Sequence, residues 1–271
     1  MFLFNKHPVP YCRSYEYLGC YIDEHLSYEY TVGVLADSAG KALSSVISKM
    51  IKNHGFPYSV YTQLYDSCVC SVSLYGSEVF GYNEYDSLHK LHLRAIRAFF
   101  GLPKNVTSAG LLSEVDWLLP KFQSQLKMVH FFGRIMRTEE NRLLSKIYRW
   151  DFLINRSELA KTWTSEVKDI LNKFGMANIF ERQQTFHVRS TMSELKTAMM
   201  QKQVNDLKAQ CASKPKLRTF ITFKDFSNLP PYVGKPLSFV ERRLLSKIRL
   251  GILPLRLETG RFERPIVPEK Q

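Results

Sequence analysis

The stretch over residues 85–103, Tyr-Asp-Ser-Leu-His-Lys-Leu-His-Leu-Arg-Ala-Ile-Arg-Ala-Phe-Phe-Gly-Leu-Pro, constrains the fold of this chain more than any other. Leu88, Leu91, Ala95 and Phe99 recur at the spacing that puts side chains on one face of an α-helix, and Ile96 and Phe100 widen that stripe. Lys90, Arg94 and Arg97 recur at the same spacing on another face. Asp86 or Ser87 supplies a start, because a short side-chain oxygen accepts from an otherwise unpaired helix N–H, and Gly101 with Pro103 supplies a stop. The segment is therefore a helix with a core side and a cationic side. Taken alone, it fits an ordinary surface helix better than a binding element.

Helical periodicity recurs along most of the chain. The run from Leu26 to Lys52 carries Val32, Leu35, Ala39, Leu43, Val46 and Met50 on one side, and residues 58–75 carry Tyr61, Leu64, Tyr65, Cys68, Val69 and Val72. Further helices are expected over 108–115, 122–136 (with Arg134 and Arg137 close on one face), 141–150, 164–174 and 190–212, the last bearing Lys196, Lys202 and Lys208. A final helix over 238–250 places Arg242, Arg243, Lys247 and Arg249 beside Phe239, Leu244, Leu245 and Ile248. Strand signals are few. Residues 15–22 read as one short strand with a central glycine, after an extended lead-in at His7-Pro8-Val9-Pro10, and 219–226 fits another. Asn228-Leu229-Pro230-Pro231 with Gly234 and Pro236 is the best linker candidate.

Charge is unevenly distributed. The net charge is +13, yet residues 1–110 hold nine basic and nine acidic side chains, so the whole excess lies in 111–271. Residues 182–256 alone hold 15 basic and four acidic residues. A one-sided field of this kind attracts polyanions, of which nucleic acid is the commonest. General solubility is the plainer explanation of the same charge.

Catalytic and metal-binding patterns are sparse. The five cysteines, Cys12, Cys20, Cys68, Cys70 and Cys211, make neither a disulfide framework nor a paired zinc motif, and Cys68 and Cys70 sit in an apolar pattern that suits small buried side chains. Asp23-Glu24 and Glu139-Glu140 are adjacent acidic pairs better explained as turns than as metal ligands, and His89 and His92 lack a neighbouring partner ligand in sequence. There is no Gly-rich phosphate loop, His-Glu-x-x-His or Gly-x-Ser-x-Gly. No apolar run approaches the roughly 20 residues of a membrane span, and no signal-peptide pattern is present, so the expected location is cytoplasm or nucleus, with no membrane partner.

The order of several segments carries a resemblance. Tyr17-Leu18-Gly19-Cys20-Tyr21-Ile22-Asp23-Glu24-His25-Leu26, a helix with Ala42-Leu43, Leu74-Tyr75-Gly76-Ser77-Glu78-Val79-Phe80, and residues 91–97 running into Phe100-Gly101-Leu102-Pro103 follow one another. Asn141-Arg142-Leu143, Lys146-Ile147-Tyr148, Trp150-Asp151 and the run from Arg249 to Arg261 come later. This order resembles reverse transcriptases of non-LTR (LINE-like) retrotransposons, over the thumb and the connector region downstream of the polymerase palm.

The resemblance implies a mainly α fold: a helical thumb-like bundle, preceded by a short β element from the end of a palm and followed by a basic helical C-terminal region. The implied domains are a residual palm-end β segment over 1–26, a thumb-like domain over 27–152, a basic connector over 153–228, and a linker with a C-terminal basic helix over 229–271. The family's catalytic palm aspartates, including a Tyr-x-Asp-Asp hairpin, have no counterpart, since Asp-Asp does not occur, and no Cys or His follows Cys211 to form a zinc knuckle. The expectation is a catalytically incomplete fragment of an RNA-directed DNA polymerase, without a catalytic or metal site and without a cofactor, Mg²⁺ belonging to the parent polymerase. Its expected partners are RNA, RNA–DNA hybrid or duplex DNA, gripped by the backbone through Lys90, Arg94, Arg97 and Lys104, and through Arg134, Arg137, Arg242, Arg243 and Lys247. An apolar face left open by a missing palm favours self-association. The alternative is a helical protein-interaction module, a domesticated remnant or unrelated scaffold with a basic surface. A metal nuclease built on Asp23 and Glu24 is a third, weaker reading.

Overall fold

The structure is a computed structural model that describes residues 2–4, 7–156 and 162–253. The expected C-terminal stretch over 254–271 lies outside the described residues, as do residues 1, 5 and 6 of the expected β segment. With 66% helix and 5% strand, the chain is mainly α.

Four short strands come first: β1 (Phe2–Phe4) pairs antiparallel with β2 (His7–Val9), and β3 (Ser14–Tyr17) with β4 (Cys20–Asp23). Helices follow as α1 (Glu29–Lys52), α2 (Tyr58–Leu64), a π-helical turn (Tyr65–Cys70), α3 (Ser71–Ser73), α4 (Ser77–Phe80), α5 (Asp86–Phe100), α6 (Ser108–Ser113) and α7 (Pro120–Ile135). After these come α8 (Leu143–Arg156), α9 (Trp163–Lys173), α10 (Ala177–Glu181), α11 (Val188–Ala212), a 3₁₀ turn (Pro215–Leu217), α12 (Arg218–Phe223), α13 (Pro231–Gly234) and α14 (Phe239–Arg249).

Several local expectations are corrected. The strand expected over 15–22 is a hairpin, because Leu18 and Gly19 both take positive φ (49° and 80°) and form a two-residue turn between Tyr17 and Cys20. His7-Pro8-Val9 is a strand rather than an unpaired lead-in; Pro8 fits there because a two-stranded sheet leaves an edge where no N–H is needed. Helix α1 starts at Glu29 and not at Leu26, since the Asp23 carboxylate accepts the backbone N–H groups of His25 (2.9 Å) and Ser27 (2.8 Å) and holds that segment as a turn. The strand expected over 219–226 is helix α12, in which Phe220 is buried and meets the rings of Phe223 and Phe226 at 5.8 and 6.2 Å. A short apolar run does not distinguish the two states.

The π turn has a visible consequence for the face of the 58–73 run. It adds a residue to one turn, so the buried stripe passes through Tyr61, Tyr65, Val69 and Cys70, whereas Cys68, expected to be buried, is exposed. Burial pushes the Cys70 thiol up to about 12.

The described chain divides into two compact units, each discontinuous in sequence: Met1–Val46, Gln63–His92 and Leu118–Gln203 in unit 1, and Ile47–Thr62, Leu93–Trp117 and Val204–Gln271 in unit 2. Their bounds fall elsewhere than the consecutive division at 26, 152 and 228, because α1, the 58–73 run, α5 and α11 each contribute residues to both.

Unit 1 is centred on α7. Phe132 is fully buried there and meets the rings of Tyr148 (6.0 Å), Phe180 (5.8 Å) and Phe186 (5.7 Å), with Met128, Val129, Val167, Leu171, Leu195 and Met199 around it. Each such side chain contributes about 1.5–3 kcal/mol by leaving water. Helix α4 packs on α7 at close range: a Cβ on Gly81 would stand 2.4 Å from the Ser77 carbonyl oxygen and 2.8 Å from that of Ser124. A capping box between Thr162 and Ser165 starts α9.

Unit 2 is built on stacked aromatics. Tyr61 lies 5.1 Å from the Phe99 ring and 6.0 Å from that of Trp117, its hydroxyl donates to the Ala95 carbonyl (2.8 Å), and Trp117 Nε1 donates to Thr62 Oγ1 (2.9 Å). Ser238 and Glu241 form a capping box at the start of α14. The stretch expected to be a linker is docked instead: Val233 is fully buried and the Tyr232 hydroxyl donates to the buried Glu114 carboxylate. Two prolines there set the entry into α13 rather than a loose tether.

Candidate nucleic-acid interface

Every apolar residue assigned to the core side of α5 is buried: Leu88, Leu91, Ala95, Ile96, Phe99 and Phe100. His92 and Leu93 are buried as well, which leaves a solvent stripe only one residue wide along Asp86, Lys90 and Arg94. Lys90 Nζ stands 3.5 Å from Asp86 in an exposed pair of little energetic weight. Arg97, next in that row, is half-buried; its Nε has no hydrogen-bond partner among the described residues, and desolvation holds its pKa below the usual guanidinium range. Lys104 is exposed in the segment that follows.

The final helix divides its cations. Arg243 is exposed and Lys247 half-buried, but Arg242 points inward and is 1% exposed. Its Nη2 donates to the Phe56 (3.0 Å) and Leu237 (3.3 Å) carbonyls, and its guanidinium carbon lies 4.1 Å from the Phe99 ring centroid. Arg242 is thus a packing element of unit 2, a correction to its expected backbone contact: the side chain is spent on two carbonyls and a ring face. Arg249 is likewise engaged. It forms a bidentate pair with Glu114 (2.8 and 2.9 Å) and faces the Phe223 and Tyr232 rings at 4.8 and 5.2 Å. Two of the cations counted over 182–256 in the sequence, Arg242 and Arg249, are therefore held by internal partners, while Arg182, Arg189, Lys208, Lys214, Lys216, Arg218 and Lys235 are exposed.

In unit 1, by contrast, cations converge. Helical spacing puts Lys127, His130 and Arg134 on one face of α7, and α11 adds Lys196 across a cleft of about 420 Å³ in which Glu78 is the one carboxylate among the described residues. His130, Arg134 and Lys196 are exposed and, among the described residues, make no ion pair. Lys127 is fixed: its Nζ donates to the Leu74 carbonyl (2.7 Å) at the end of the 58–73 helical run, where backbone dipoles favour a cation. Arg134 lies 5.8 Å from the Phe131 ring centroid. Arg137 is exposed just beyond the helix. The cleft offers several N–H donors to an anion with one acid in opposition, which suits phosphate oxygens.

Of the residues expected from sequence to touch nucleic acid, then, Arg134 stands in a cleft, Lys90, Arg94, Lys104, Arg137 and Arg243 stand on open surface, Arg97 and Lys247 are half-buried, and Arg242 is inside. Lys127 and His130 were not singled out, although their spacing from Arg134 was readable. Lys196 was visible only as one lysine of a polar helix.

Among the described residues no three His, Cys, Asp or Glu side chains converge as metal ligands, and no helix is long and apolar enough to cross a membrane. Asp23 is occupied by backbone N–H groups and Glu24 accepts from the Tyr11 hydroxyl. No protein-family model, curated protein or solved structure matches the chain.

Proposed function

We propose that this chain is the thumb and connector portion of a non-LTR retrotransposon reverse transcriptase, which grips the backbone of RNA, RNA–DNA hybrid or duplex DNA without reading sequence and performs no catalytic step by itself. The observation that carries this reading is the cleft lined by Lys127, His130, Arg134 and Lys196, a concave anion site on a rigid helical frame. The exposed row of Lys90 and Arg94 on α5 adds a second cationic edge. Backbone grip needs cations on fixed elements and no contact to base edges.

The test is binding of labelled RNA–DNA hybrids of two unrelated sequences at low and moderate salt. Neutralising about three phosphates lowers affinity roughly 40-fold between about 50 and 200 mM salt, equally for both sequences. Affinity that ignores salt contradicts the proposal. Primer extension by the purified chain with Mg²⁺, contaminating polymerase excluded, contradicts its non-catalytic part.

One observation favours a second reading, a helical protein-interaction module. Val240, Leu244 and Ile248 follow one another up the outer face of α14, 72%, 50% and 53% exposed, beside Arg243 and Lys247. Intact nucleic-acid binding after neutralisation of Arg134 and Lys196, together with concentration-dependent self-association lost in Leu244→Glu, supports that reading instead.

A further inference from the structure

Unit 1 contains a second, larger cleft beside the cationic one. Its volume is about 690 Å³, within the size range of small-molecule sites, and the rings of Tyr28, Tyr82, Phe131, Tyr148, Trp150 and Trp163 line it together with aliphatic side chains. Phe131 belongs to both clefts. On its cationic side stands Arg134, and on the other side Trp163 meets the Phe131 ring edge-on at 5.8 Å and 77°. Trp163 Nε1 donates to the Glu78 carbonyl (3.0 Å), so a residue of the cationic cleft also pins the far wall. Trp150 is different: it stands at the rim and is 65% exposed.

Two carboxylates, Asp151 and Glu166, line this cleft beside the donor-bearing Asn83, Thr162 and tyrosine hydroxyls. Asp151 Oδ2 accepts the Thr164 backbone N–H (2.9 Å), which fixes the carboxylate, while Oδ1 makes no hydrogen bond among the described residues. Flat rings, an acceptor at the edge and cations one residue away together complement a nucleotide: a planar face to stack, amino donors on its edge, and a phosphate beside it. An aliphatic side chain of a protein partner would use the rings and leave the carboxylate and the adjoining cations without a purpose. A base inside a duplex has no free face to offer.

We propose that the aromatic cleft takes an unpaired base of single-stranded RNA or DNA whose neighbouring phosphates occupy the Lys127–His130–Arg134–Lys196 cleft. This rests on the reading of that cleft as a phosphate site. Asp151 accepts an N–H from the edge of that base.

The test is fluorescence anisotropy with an end-labelled oligocytidine strand and a strand of equal length made of abasic sugars. Wild-type protein binds the cytidine strand roughly ten-fold or more tighter than the abasic one, the effect of one stacked base. Trp150→Ala brings the cytidine strand down to the abasic level and leaves the abasic affinity unchanged; Trp150→Phe retains most of the difference. The double variant Arg134→Gln with Lys196→Gln weakens both strands alike. Equal affinity of wild type for the two strands, with both still weakened by that double variant, overturns the base site, keeps the phosphate reading and leaves the cleft to a protein side chain. Equal weakening of both strands by Trp150→Ala also overturns it. Failure of both strands to bind at low salt overturns the phosphate reading and the base site together.

Discussion

Arg242 and Arg243 are adjacent in sequence and the structure assigns them opposite fates, which makes them a sharp pair to perturb. Arg242→Ala removes two charged-donor hydrogen bonds, to the Phe56 and Leu237 carbonyls, and the guanidinium stacked 4.1 Å from the Phe99 centroid. Hydrogen bonds of this type are worth about 1.5–3 kcal/mol each, the desolvated ring contact about 2, and the vacated volume adds a cavity term. Against this, Nε and Nη1 are buried with no hydrogen-bond partner among the described residues, and deleting them relieves about 1–3 kcal/mol for each unsatisfied group. The net destabilisation expected is about 3 kcal/mol. Arg242→Met keeps the stem on the Phe99 face and removes the unsatisfied donors, so its loss is about 1 kcal/mol. Arg243→Ala, on an exposed side chain, changes stability by less than about 0.5 kcal/mol. Urea unfolding at constant slope reads all three. A loss under about 1 kcal/mol for Arg242→Ala, combined with weaker nucleic-acid binding than Arg243→Ala produces, refutes the inward placement of Arg242.

Three further outcomes are expected. Glu114→Ala leaves the Arg249 guanidinium and the Tyr232 hydroxyl without their common acceptor; because the Arg249 side chain is 21% exposed, the loss falls near the low end of the roughly 3–5 kcal/mol for a broken buried pair, again by urea unfolding, with strand affinity unchanged. His92, fully buried with Nδ1 2.9 Å from the Tyr65 hydroxyl, is held by burial at a pKa of about 3, so the unfolded chain binds a proton there that the folded chain does not. Its effect on stability is nil above about pH 6.5 and grows as pH falls toward 3, about 1.4 kcal/mol per pH unit; between pH 7 and 5 about 2 kcal/mol is lost, and His92→Gln removes that part of the pH dependence. Lys90→Gln with Arg94→Gln weakens hybrid binding several-fold while leaving the urea midpoint in place, since both side chains are exposed; undiminished affinity assigns the grip to the α7–α11 cleft alone.

Helix periodicity carried most of what the sequence made legible. All six residues placed on one side of α1 are buried, and the Ser238-x-x-Glu241 capping box marks the start of α14 to the residue. Periodicity failed where the helix departs from its ordinary pitch: the π turn over Tyr65–Cys70 turned Cys68 out of the core while Cys70 stayed in it, and no residue type announces such a turn. Charge counting misplaced two arginines for a different reason. Arg242 and Arg249 look like any surface arginines in sequence, and only the carbonyls of Phe56 and Leu237, and the carboxylate of Glu114 more than 100 positions away, draw them inside. The Pro-rich stretch read as a linker because proline marks turns, yet Tyr232 and Val233 within it are anchored side chains. The cationic cleft was half legible: Lys127, His130 and Arg134 share a helix face, but the contribution of Lys196 from α11 is a tertiary fact.

The salt dependence of hybrid binding measures directly the phosphate contacts proposed for Arg134 and Lys196. The slope of log affinity against log salt is expected to become shallower by about 2 in the double variant Arg134→Gln with Lys196→Gln, roughly 0.9 for each lost contact, with equal effect on unrelated sequences. An unchanged slope in that variant contradicts the account.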